Sequence, residues 1–308
     1  MSGWIAPMLI GAQQPAFDDP DFIFELKLDG IRCIVCKNEG KTQLYNKRGH
    51  LLSQHFPELD KIGERIKKDC VLDGELYVFR EGITDFFAIQ KRVTLSDPFR
   101  IDMLSQEQPA TFTAFDILNS EGQDLTAMPL MARKQILNEH IAEDERINVS
   151  RFVQEHGVHL FALTKETKLE GIVAKRCSSR YHPGRRSKDW IKCKNLMDDD
   201  FVIVGMIPKD SGMTSLILAQ YDEDGKLIYR GHVTLGVPAW LSERGAKAAR
   251  CPFSALPPGN ESAVWFDPPL VGTVRFMHYT RSGQMRQPVF KGLREDKLPW
   301  ECVIPSEK

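Results

Sequence analysis

Residues 22–30 read Phe22-Ile23-Phe24-Glu25-Leu26-Lys27-Leu28-Asp29-Gly30. An apolar stretch typical of a β-strand ends in a lysine, and a carboxylate and a glycine follow at once. A lysine held in a partly dry pocket among other cations can lose its proton and become a nucleophile. Gly30 would let the backbone turn sharply, including into positive φ, and bring the Lys27 amine close to a phosphate. An exposed lysine before an ordinary turn has the same pattern, so the interpretation depends on the rest of the chain.

The composition describes a globular protein that is long enough for two domains. The chain has 308 residues, of which 42% are hydrophobic and 27% charged, and its formal net charge is −1. No apolar run approaches the roughly 20 residues that span a bilayer, and the N-terminus lacks a secretory pattern. We therefore expect a cytoplasmic protein with no membrane segment. Cys33 and Cys36 lie inside an apolar, strand-like run, which favours buried thiols over a metal site.

Residues 1–195 have the pattern of a mixed α/β domain. Apolar runs predict strands at Phe22–Lys27, Gly30–Lys37, Thr42–Asn46, Val71–Phe79, Ala110–Leu118, Ile147–Phe152, Gly171–Arg176 and Trp190–Lys194. Helical periodicity predicts helices at Pro57–Lys68, Asp85–Val93, Pro129–Ala142 and Val158–Lys168. Thr84 is the expected cap of the second helix, and residues 94–110 are expected to form a loop.

A polar segment at residues 196–200 separates this domain from a second one at residues 201–308. The pattern there changes to short strands joined by tight turns such as Asp224-Gly225, with one helix predicted at Trp240–Arg250. Such a set of strands with one helix suits a small Greek-key barrel, for which the oligonucleotide-binding (OB) fold is the leading candidate.

Polar and aromatic residues lie within the predicted strands or at their ends. They are Arg32, Arg48, Glu75, Phe115, Glu170, Lys192 and Lys194 in the first domain, and Arg294, Asp296 and Lys297 in the second. Each alone has a structural interpretation, for example Glu75 as an edge-strand acid and Phe115 as a core aromatic. Together they supply two carboxylates for a divalent ion, an aromatic plane, and two lysines that share one face of a strand. This set predicts a nucleoside triphosphate site around Lys27.

The segment 175–194 is strongly basic. It carries Lys175, Arg176, Arg180, Arg185, Arg186, Lys188, Lys192 and Lys194 against the single acid Asp189. With Tyr181 and Trp190 inside it, the segment suits phosphate binding, and a solvated basic face is the alternative.

Six motifs resemble the nucleotidyltransferase motifs of ATP-dependent DNA ligases, in the family's order and at similar spacing. They are Glu25-Leu26-Lys27-Leu28-Asp29-Gly30-Ile31-Arg32, Leu72-Asp73-Gly74-Glu75-Leu76, Phe115-Asp116-Ile117-Leu118, Leu169-Glu170-Gly171-Ile172-Val173-Ala174-Lys175, Trp190-Ile191-Lys192-Cys193-Lys194 and Arg294-Glu295-Asp296-Lys297. Residues 179–187 and 288–294 are similar to the ligase module of bacterial multifunctional end-joining (Ku-associated) DNA ligases. The resemblance implies an α+β, two-domain covalent nucleotidyltransferase. Residues 1–195 would form the adenylation domain, residues 196–200 a hinge linker, and residues 201–308 an OB-fold barrel.

The resemblance also implies a reaction in three steps. The Lys27 amine attacks the α-phosphate of ATP and expels pyrophosphate, AMP passes from Lys27 to the 5′-phosphate of a nick, and the 3′-hydroxyl then displaces AMP. Lys27 must lose its proton, through desolvation and the nearby cations Lys192, Lys194 and Mg²⁺ or Mn²⁺. The same cations would neutralise the charge that accumulates at phosphorus.

The resemblance assigns the remaining residues to ATP, metal, pyrophosphate and DNA. Glu25 would bind the adenine amino group, Phe115 would stack on adenine, and Arg48 would contact the ribose. Glu75 and Glu170 would hold the metal ion, or Glu75 would hold the ribose hydroxyl instead. The predicted DNA contacts are Arg32, which is also an ATP contact, with Arg180, Arg185, Arg186 and Lys188. Arg294, Asp296 and Lys297 would align the pyrophosphate when the barrel closes over the site, with the linker as its hinge.

Other functions remain open at this point. RNA ligases and GTP-using capping enzymes share the lysine motif, and a non-catalytic nucleic-acid-binding module would use only the barrel and the basic segment. For a ligase, the expected partners are nicked duplex DNA, a Ku-like end-binding protein and a separate repair polymerase. We expect a monomer of the bacterial cytoplasm, associated with the nucleoid and acting in DNA repair, recombination or non-homologous end joining.

Overall fold

A computed structural model of the chain describes residues 3–80, 83–167, 169–209, 212–243, 247–248, 250–280 and 283–304. The chain divides into two compact units, Met1–Asn195 and Leu196–Lys308. Within the described residues, no helix combines the length and the apolar character that crossing a membrane requires.

The described part of the first unit contains twelve strands and five α-helices. The strands are β1 (Leu9–Gln13), β2 (Asp19–Leu26), β3 (Ile31–Asn38), β4 (Lys41–Asn46), β5 (Cys70–Arg80), β6 (Ile83–Thr84), β7 (Ala110–Ser120), β8 (Gln123–Asp124), β9 (Ile147–Val149), β10 (Phe152–Glu155), β11 (Gly171–Arg176) and β12 (Arg186–Lys194). The helices are α1 (Ile62–Arg65), α2 (Phe86–Thr94), α3 (Pro98–Glu107), α4 (Leu130–His140) and α5 (Gly157–Glu166), with short 3-10 turns at Ser53–His55 and Pro57–Leu59.

Two sheets of the first unit face each other. One has the order β1-β12-β11-β2-β10, and the other has the order β4-β3-β5-β7-β8, with β6 beside β5 and β9 beside β7. Ile34, Val71 and Leu118 on one face of the larger sheet pack with Tyr181 and Trp190 from the smaller sheet's side. The opposite face of the larger sheet packs against helices in a second apolar cluster.

The turn Lys27–Gly30 carries the chain from one sheet to the other, because β2 belongs to the smaller sheet and β3 to the larger. A Cβ added to Gly30 would lie 2.3 Å from the carbonyl oxygen of Leu76. A glycine is therefore required at position 30 because the two backbone segments approach closely, and not because its φ is positive.

The second unit is built on one antiparallel sheet. Its strands are β13 (Met197–Pro208), β14 (Thr214–Tyr221), β15 (Leu227–Val233), β16 (Lys247–Ala248), β17 (Val264–Phe276) and β18 (Val289–Leu293), and its 3-10 turns are Ala239–Glu243 and Pro299–Glu301. The strand order is β15-β14-β13-β17-β16, with β18 beside β17. Alternate residues of β13 enter two apolar clusters, Phe201 and Ile203 in one and Val202 and Val204 in the other.

Two predictions about the first unit were wrong in detail. The helix predicted at Pro57–Lys68 is broken, because the backbone of Ile66 turns to an extended conformation and pairs with Ile141. The cap of α2 is Asp85, whose carboxylate accepts the backbone N–H of Ala88 at 3.0 Å, and not Thr84.

The predicted loop at residues 94–110 was also wrong, since it contains helix α3. Asp97 caps this helix by accepting the backbone N–H of Phe99, and Pro98 occupies its first position, where proline is favoured.

The segment 196–200 is mostly strand instead of an irregular linker. Met197–Asp200 pair with residues 273–276 of β17, so the role of this segment as a hinge stays a prediction. Part of the helix predicted at Trp240–Arg250, residues 244–246 and 249, lies outside the described residues. The described remainder forms the 3-10 turn Ala239–Glu243 and the short strand Lys247–Ala248.

Candidate active site

The Lys27 amine lies against a buried carboxylate. Lys27 Nζ is 2.7 Å from Oε2 of Glu170, and Lys194 Nζ is 2.8 Å from Oε1 of the same carboxylate. The backbone also fixes this arrangement, because the N–H of Lys27 donates to the carbonyl of Gly171 at 2.9 Å. Burial acts to raise the pKa of Glu170, but the two lysines hold it below its usual range. One ionised carboxylate therefore orients two cations.

Lys192 and Lys194 reach the site from one strand. In the pairing of β11 with β12, Lys192 is opposite Val173 and Lys194 is opposite Gly171, so the two lysines share a face of the sheet. Burial, followed by repulsion from Lys194 and Lys27, lowers the pKa of Lys192. The site thus concentrates positive charge, as a polyphosphate requires.

Glu75 and Arg32 enter from the opposite sheet, where they pair across β5 and β3. Arg32 makes a bidentate ion pair with Asp73, with both N–O distances 2.5 Å. Burial opposes the charge on Arg32, but Asp73 more than offsets it and holds the arginine pKa above its usual range. Glu75 makes no ion pair with any described residue, and burial raises its pKa to about 7.

Aromatic rings and two cations form one wall. The rings of Phe115 and Trp190 meet edge to face with their centroids 6.0 Å apart. Lys175 Nζ lies 4.2 Å from the Phe115 centroid and 4.4 Å from that of Trp190, and the Arg32 guanidinium lies 4.5 Å from the Phe115 centroid. Cation–π attraction therefore fixes the wall from more than one side chain.

Glu25 is almost fully buried and is held by three side chains. Lys175 Nζ and Ser150 Oγ each donate to Oε2 at 2.9 Å, and Lys134 forms an ion pair with Oε1. Burial acts to raise the pKa of Glu25, but Lys134 and Lys175 hold it below its usual range. Glu25 is thus an ionised, rigidly oriented acceptor beside the wall.

Glu25, Lys27, Arg32, Glu75 and the aromatic wall line one pocket between the two sheets of the first unit, whereas Glu170, Lys192 and Lys194 do not line it. It is lined by Ile10, Glu25, Leu26, Lys27, Leu28, Arg32, Glu75, Phe115, Ser150, Val173, Lys175 and Trp190. The lining combines apolar side chains with the Lys27 amine, further cations and carboxylates, which is the usual make-up of a small-molecule site.

Other predicted site residues lie elsewhere. Arg48 is exposed in the turn after β4 and is absent from the pocket lining. The predicted DNA contacts Arg180, Arg185, Arg186 and Lys188 are all exposed. In the second unit, Arg294 and Lys297 each lie 3.0 Å from the carboxylate of Asp200, and Arg294 also pairs with Asp296 at 2.8 Å.

A magnesium ion fits the carboxylates of the pocket. The described residues contain no group of three or more His, Cys, Asp or Glu side chains arranged for a metal. Mg²⁺ does not require such a cage, because it is commonly held by one or two carboxylates with water and substrate phosphates. Glu75 has the carboxylate suited to this role, whereas Glu170 is already paired with two lysines.

Three contacts of the pocket were missed by the sequence predictions. Lys175 had a visible signal, a lysine that ends the apolar run Ile172-Val173-Ala174. Lys134 had none, because it belongs to helix α4 and reaches Glu25 only through tertiary packing. Ser150, which follows β9, likewise gave no local signal.

The raised pKa of Glu75 predicts a pH effect on stability. Unfolded Glu75 has its ordinary pKa of 4.5 and folded Glu75 a pKa of about 7. Between these values the folded state binds more protons, so this group makes stability fall as pH rises through the window. Glu75→Gln should therefore melt higher relative to the unaltered protein at about pH 8 than at about pH 5. Thermal melting without divalent ions checks this, with the exposed Glu107→Gln as control. An unchanged difference would contradict it.

Comparison with known proteins places both units. The family model "ATP dependent DNA ligase domain" matches residues 10–194, and "ATP dependent DNA ligase C terminal region" matches residues 209–297. The multifunctional non-homologous end joining protein LigD of Pseudomonas aeruginosa is 34% identical over 96% of this chain and 36% of that protein. The SPbeta prophage-derived DNA ligase-like protein LigB of Bacillus subtilis is 30% identical over 94% of this chain and 99% of that protein.

A solved structure agrees with these matches. Mycobacterial DNA ligase D complexed with ATP and MES has a TM-score of 0.57 and 28% identity, covering 97% of this chain and 98% of that one. The chain thus spans about a third of the length of the Pseudomonas relative and nearly all of the Bacillus one. The matches confirm the predicted fold class, a mixed α/β nucleotidyltransferase core followed by an OB-fold domain.

Proposed function

Because the chain belongs to the ATP-dependent DNA ligases, we propose that it seals nicks with a 5′-phosphate and a 3′-hydroxyl in duplex DNA. The reaction passes through a lysyl-AMP and a DNA-adenylate. The observation that supports this most is the position of Lys27, whose amine lines the pocket beside Glu170, Glu75 and the aromatic wall.

In the first step, Nζ of the neutral Lys27 amine forms a bond to the α-phosphorus of ATP, the bond from that phosphorus to pyrophosphate breaks, and the proton that the nitrogen loses passes to solvent. Lys192 and Lys194 face the charge that builds up on the phosphate oxygens. Glu170 orients Lys27 and, through its second oxygen, Lys194. Phe115 offers its ring to adenine, while Glu25 accepts a hydrogen bond from the adenine amino group. Arg48, an exposed residue, contacts the ribose in this proposal.

A divalent ion, Mg²⁺ or Mn²⁺, would be held by Glu75 and by phosphate oxygens, with Glu170 as a further carboxylate near it. The ion would neutralise phosphate charge. The chain's own residues supply the remaining charge. In the second unit, Arg294, Asp296 and Lys297 align the pyrophosphate leaving group.

The exposed basic residues Arg180, Arg185, Arg186 and Lys188 contact DNA phosphates in this proposal, and Arg32 faces the nick 5′-phosphate. The similarity to end-joining proteins supports a role in DNA repair by end joining. There the chain would act as a monomer in the cytoplasm, at the nucleoid, with a Ku-like end-binding protein and a separate repair polymerase. RNA ligation and GTP-dependent capping are not favoured by the matches.

Nucleotide labelling tests the proposed function. The protein should acquire a covalent label from α-³²P-labelled ATP but not from labelled GTP, and it should then seal a nicked DNA duplex. Removal of divalent ions with EDTA should abolish labelling, and Mg²⁺ should restore it. Labelling by GTP alone, or sealing of RNA but not DNA, would contradict the proposal.

A further inference from the structure

We propose that Asp200 is a positioning residue that orients Arg294 and Lys297 for the first step of the reaction. This inference rests on the proposed function, in which those two cations act on the pyrophosphate. Asp200 lies outside the six motifs and gave no signal of its own in the sequence. Its part in the site emerges from the packing of three strands in the second unit.

One oxygen of Asp200 serves both cations. Arg294 Nη1 and Lys297 Nζ each donate to Oδ2 at 3.0 Å. The other oxygen, Oδ1, accepts the hydroxyl of Thr273 at 2.6 Å. The hydroxyl of Thr273 therefore holds the Asp200 carboxylate in one orientation, and the carboxylate in turn orients Arg294 and Lys297.

The sheet explains why these groups meet. Strand β17 lies between β13 and β18, and Asp200 of β13 pairs directly with Thr273 of β17. Arg294 follows β18 immediately, and its backbone N–H donates to the carbonyl of Val271 at 2.8 Å. Three neighbouring strands thus bring the aspartate, the hydroxyl and the arginine to one place.

Exposure gives the cluster a direction. The side chain of Asp200 is 13% exposed, whereas those of Lys297 and Arg294 are 26% and 39% exposed. Asp200 is therefore the least exposed of the three side chains, and the two cations lie between it and solvent. Burial acts to raise the pKa of Asp200, but Thr273, Lys297 and Arg294 hold it below its usual range, so the Asp200 carboxylate is ionised at neutral pH.

Asp296 completes the restraint of Arg294. The guanidinium donates through Nε and Nη2 to the two oxygens of Asp296, both at 2.8 Å, and through Nη1 to Asp200. Two carboxylates therefore fix the plane of the guanidinium, and a planar fork held in this way loses less entropy when it meets a phosphate. Among the described residues, Lys297 forms an ion pair with Asp200 and with no other carboxylate, so its orientation depends on Asp200.

The variant Asp200→Asn tests the inference. It keeps the size of the side chain and a partner for Thr273 but removes the charge that both cations face. A hydrogen bond to a charged group contributes on the order of tenfold to a hundredfold in an equilibrium or rate. We therefore expect lysyl-AMP formation to slow by roughly that factor. Sealing of a nick that already carries 5′-AMP should stay within about twofold, because no pyrophosphate leaves in that step.

Matched variants make the result decisive. Asp224→Asn removes an exposed carboxylate of the same unit and should adenylylate like the unaltered protein. Thr273→Val removes only the hydroxyl that orients Asp200 and should slow adenylylation less than Asp200→Asn. It also provides the test if Asp200→Asn fails to fold, which thermal melting would reveal.

Four outcomes would overturn the inference. Asp200→Asn could form lysyl-AMP as fast as Asp224→Asn while Arg294→Ala does not form it, which would leave the proposed function intact. It could slow both steps equally, which would indicate a structural role, or adenylylate faster, which would mean that Asp200 restrains the cations. If Arg294→Ala adenylylated normally, the proposed role of Arg294 would fail first and the inference with it.

Discussion

Lys27→Ala is expected to take up no label from α-³²P-labelled ATP. The substitution removes the amine that is proposed to attack phosphorus, and no other described lysine occupies its position between Glu170 and the pocket. The fold should survive, because the Glu170 carboxylate keeps its ion pair with Lys194. Intact-mass spectrometry after incubation with ATP measures the loss directly, since the AMP adduct is covalent.

A second substrate separates chemistry from folding. Lys27→Ala should still join a nick that already carries AMP on its 5′-phosphate, because the lysine has done its work before that step. Lys41→Ala, at an exposed position in β4, is the matched control and should label normally. A covalent AMP adduct on Lys27→Ala protein would exclude Lys27 as the nucleophile.

Arg32→Met is expected to lower the free energy of unfolding by about 3–5 kcal/mol, the usual loss when one partner of a buried ion pair is removed. Asp73 has a fully buried side chain, and Arg32 is its bidentate partner. Tyr181 also donates its hydroxyl to Asp73 at 2.5 Å, but a neutral donor does not compensate the charge. Urea unfolding followed by circular dichroism measures the change.

Two further variants identify the cause. Arg32→Met combined with Asp73→Asn should recover much of the lost stability, because no uncompensated charge remains in the core. Arg275→Met breaks an exposed pair with Asp198 and should change stability by no more than about 1 kcal/mol. An Arg32→Met protein as stable as the unaltered one would show that Asp73 does not depend on this arginine. Loss of sealing by Arg32 variants therefore needs a stability measurement beside it.

Local patterns predicted the parts of the site that depend on local geometry. The alternation of a strand places Lys192 and Lys194 on one face, and both lie in β12 as expected. Strand β11 has the predicted bounds, Gly171–Arg176. The prediction of one helix at Pro57–Lys68 was wrong for a nonlocal reason, because Ile66 pairs with Ile141 on a distant segment.

Partnerships across the chain were beyond local patterns. The ion pair of Lys27 with Glu170 joins residues 143 positions apart, and their proximity was available only through the resemblance of whole motifs. Arg32 was expected to face a ligand and lines the pocket, but its bidentate pair with Asp73 had no signal in the local sequence. Lys134 reaches Glu25 from a helix surface that periodicity marks only as a contact with the core. Burial and pairing are properties of the folded chain, so such residues are visible only in three dimensions.

The Lys27–Gly30 turn crosses from one sheet to the other, so the position of the proposed nucleophile depends on how the two sheets are aligned. A core substitution that shifts either sheet by a fraction of an ångström would move the amine relative to the phosphorus before it measurably weakened the fold. In-line attack tolerates little displacement. Variants far from the pocket should therefore reveal themselves as slow catalysts while they still melt normally.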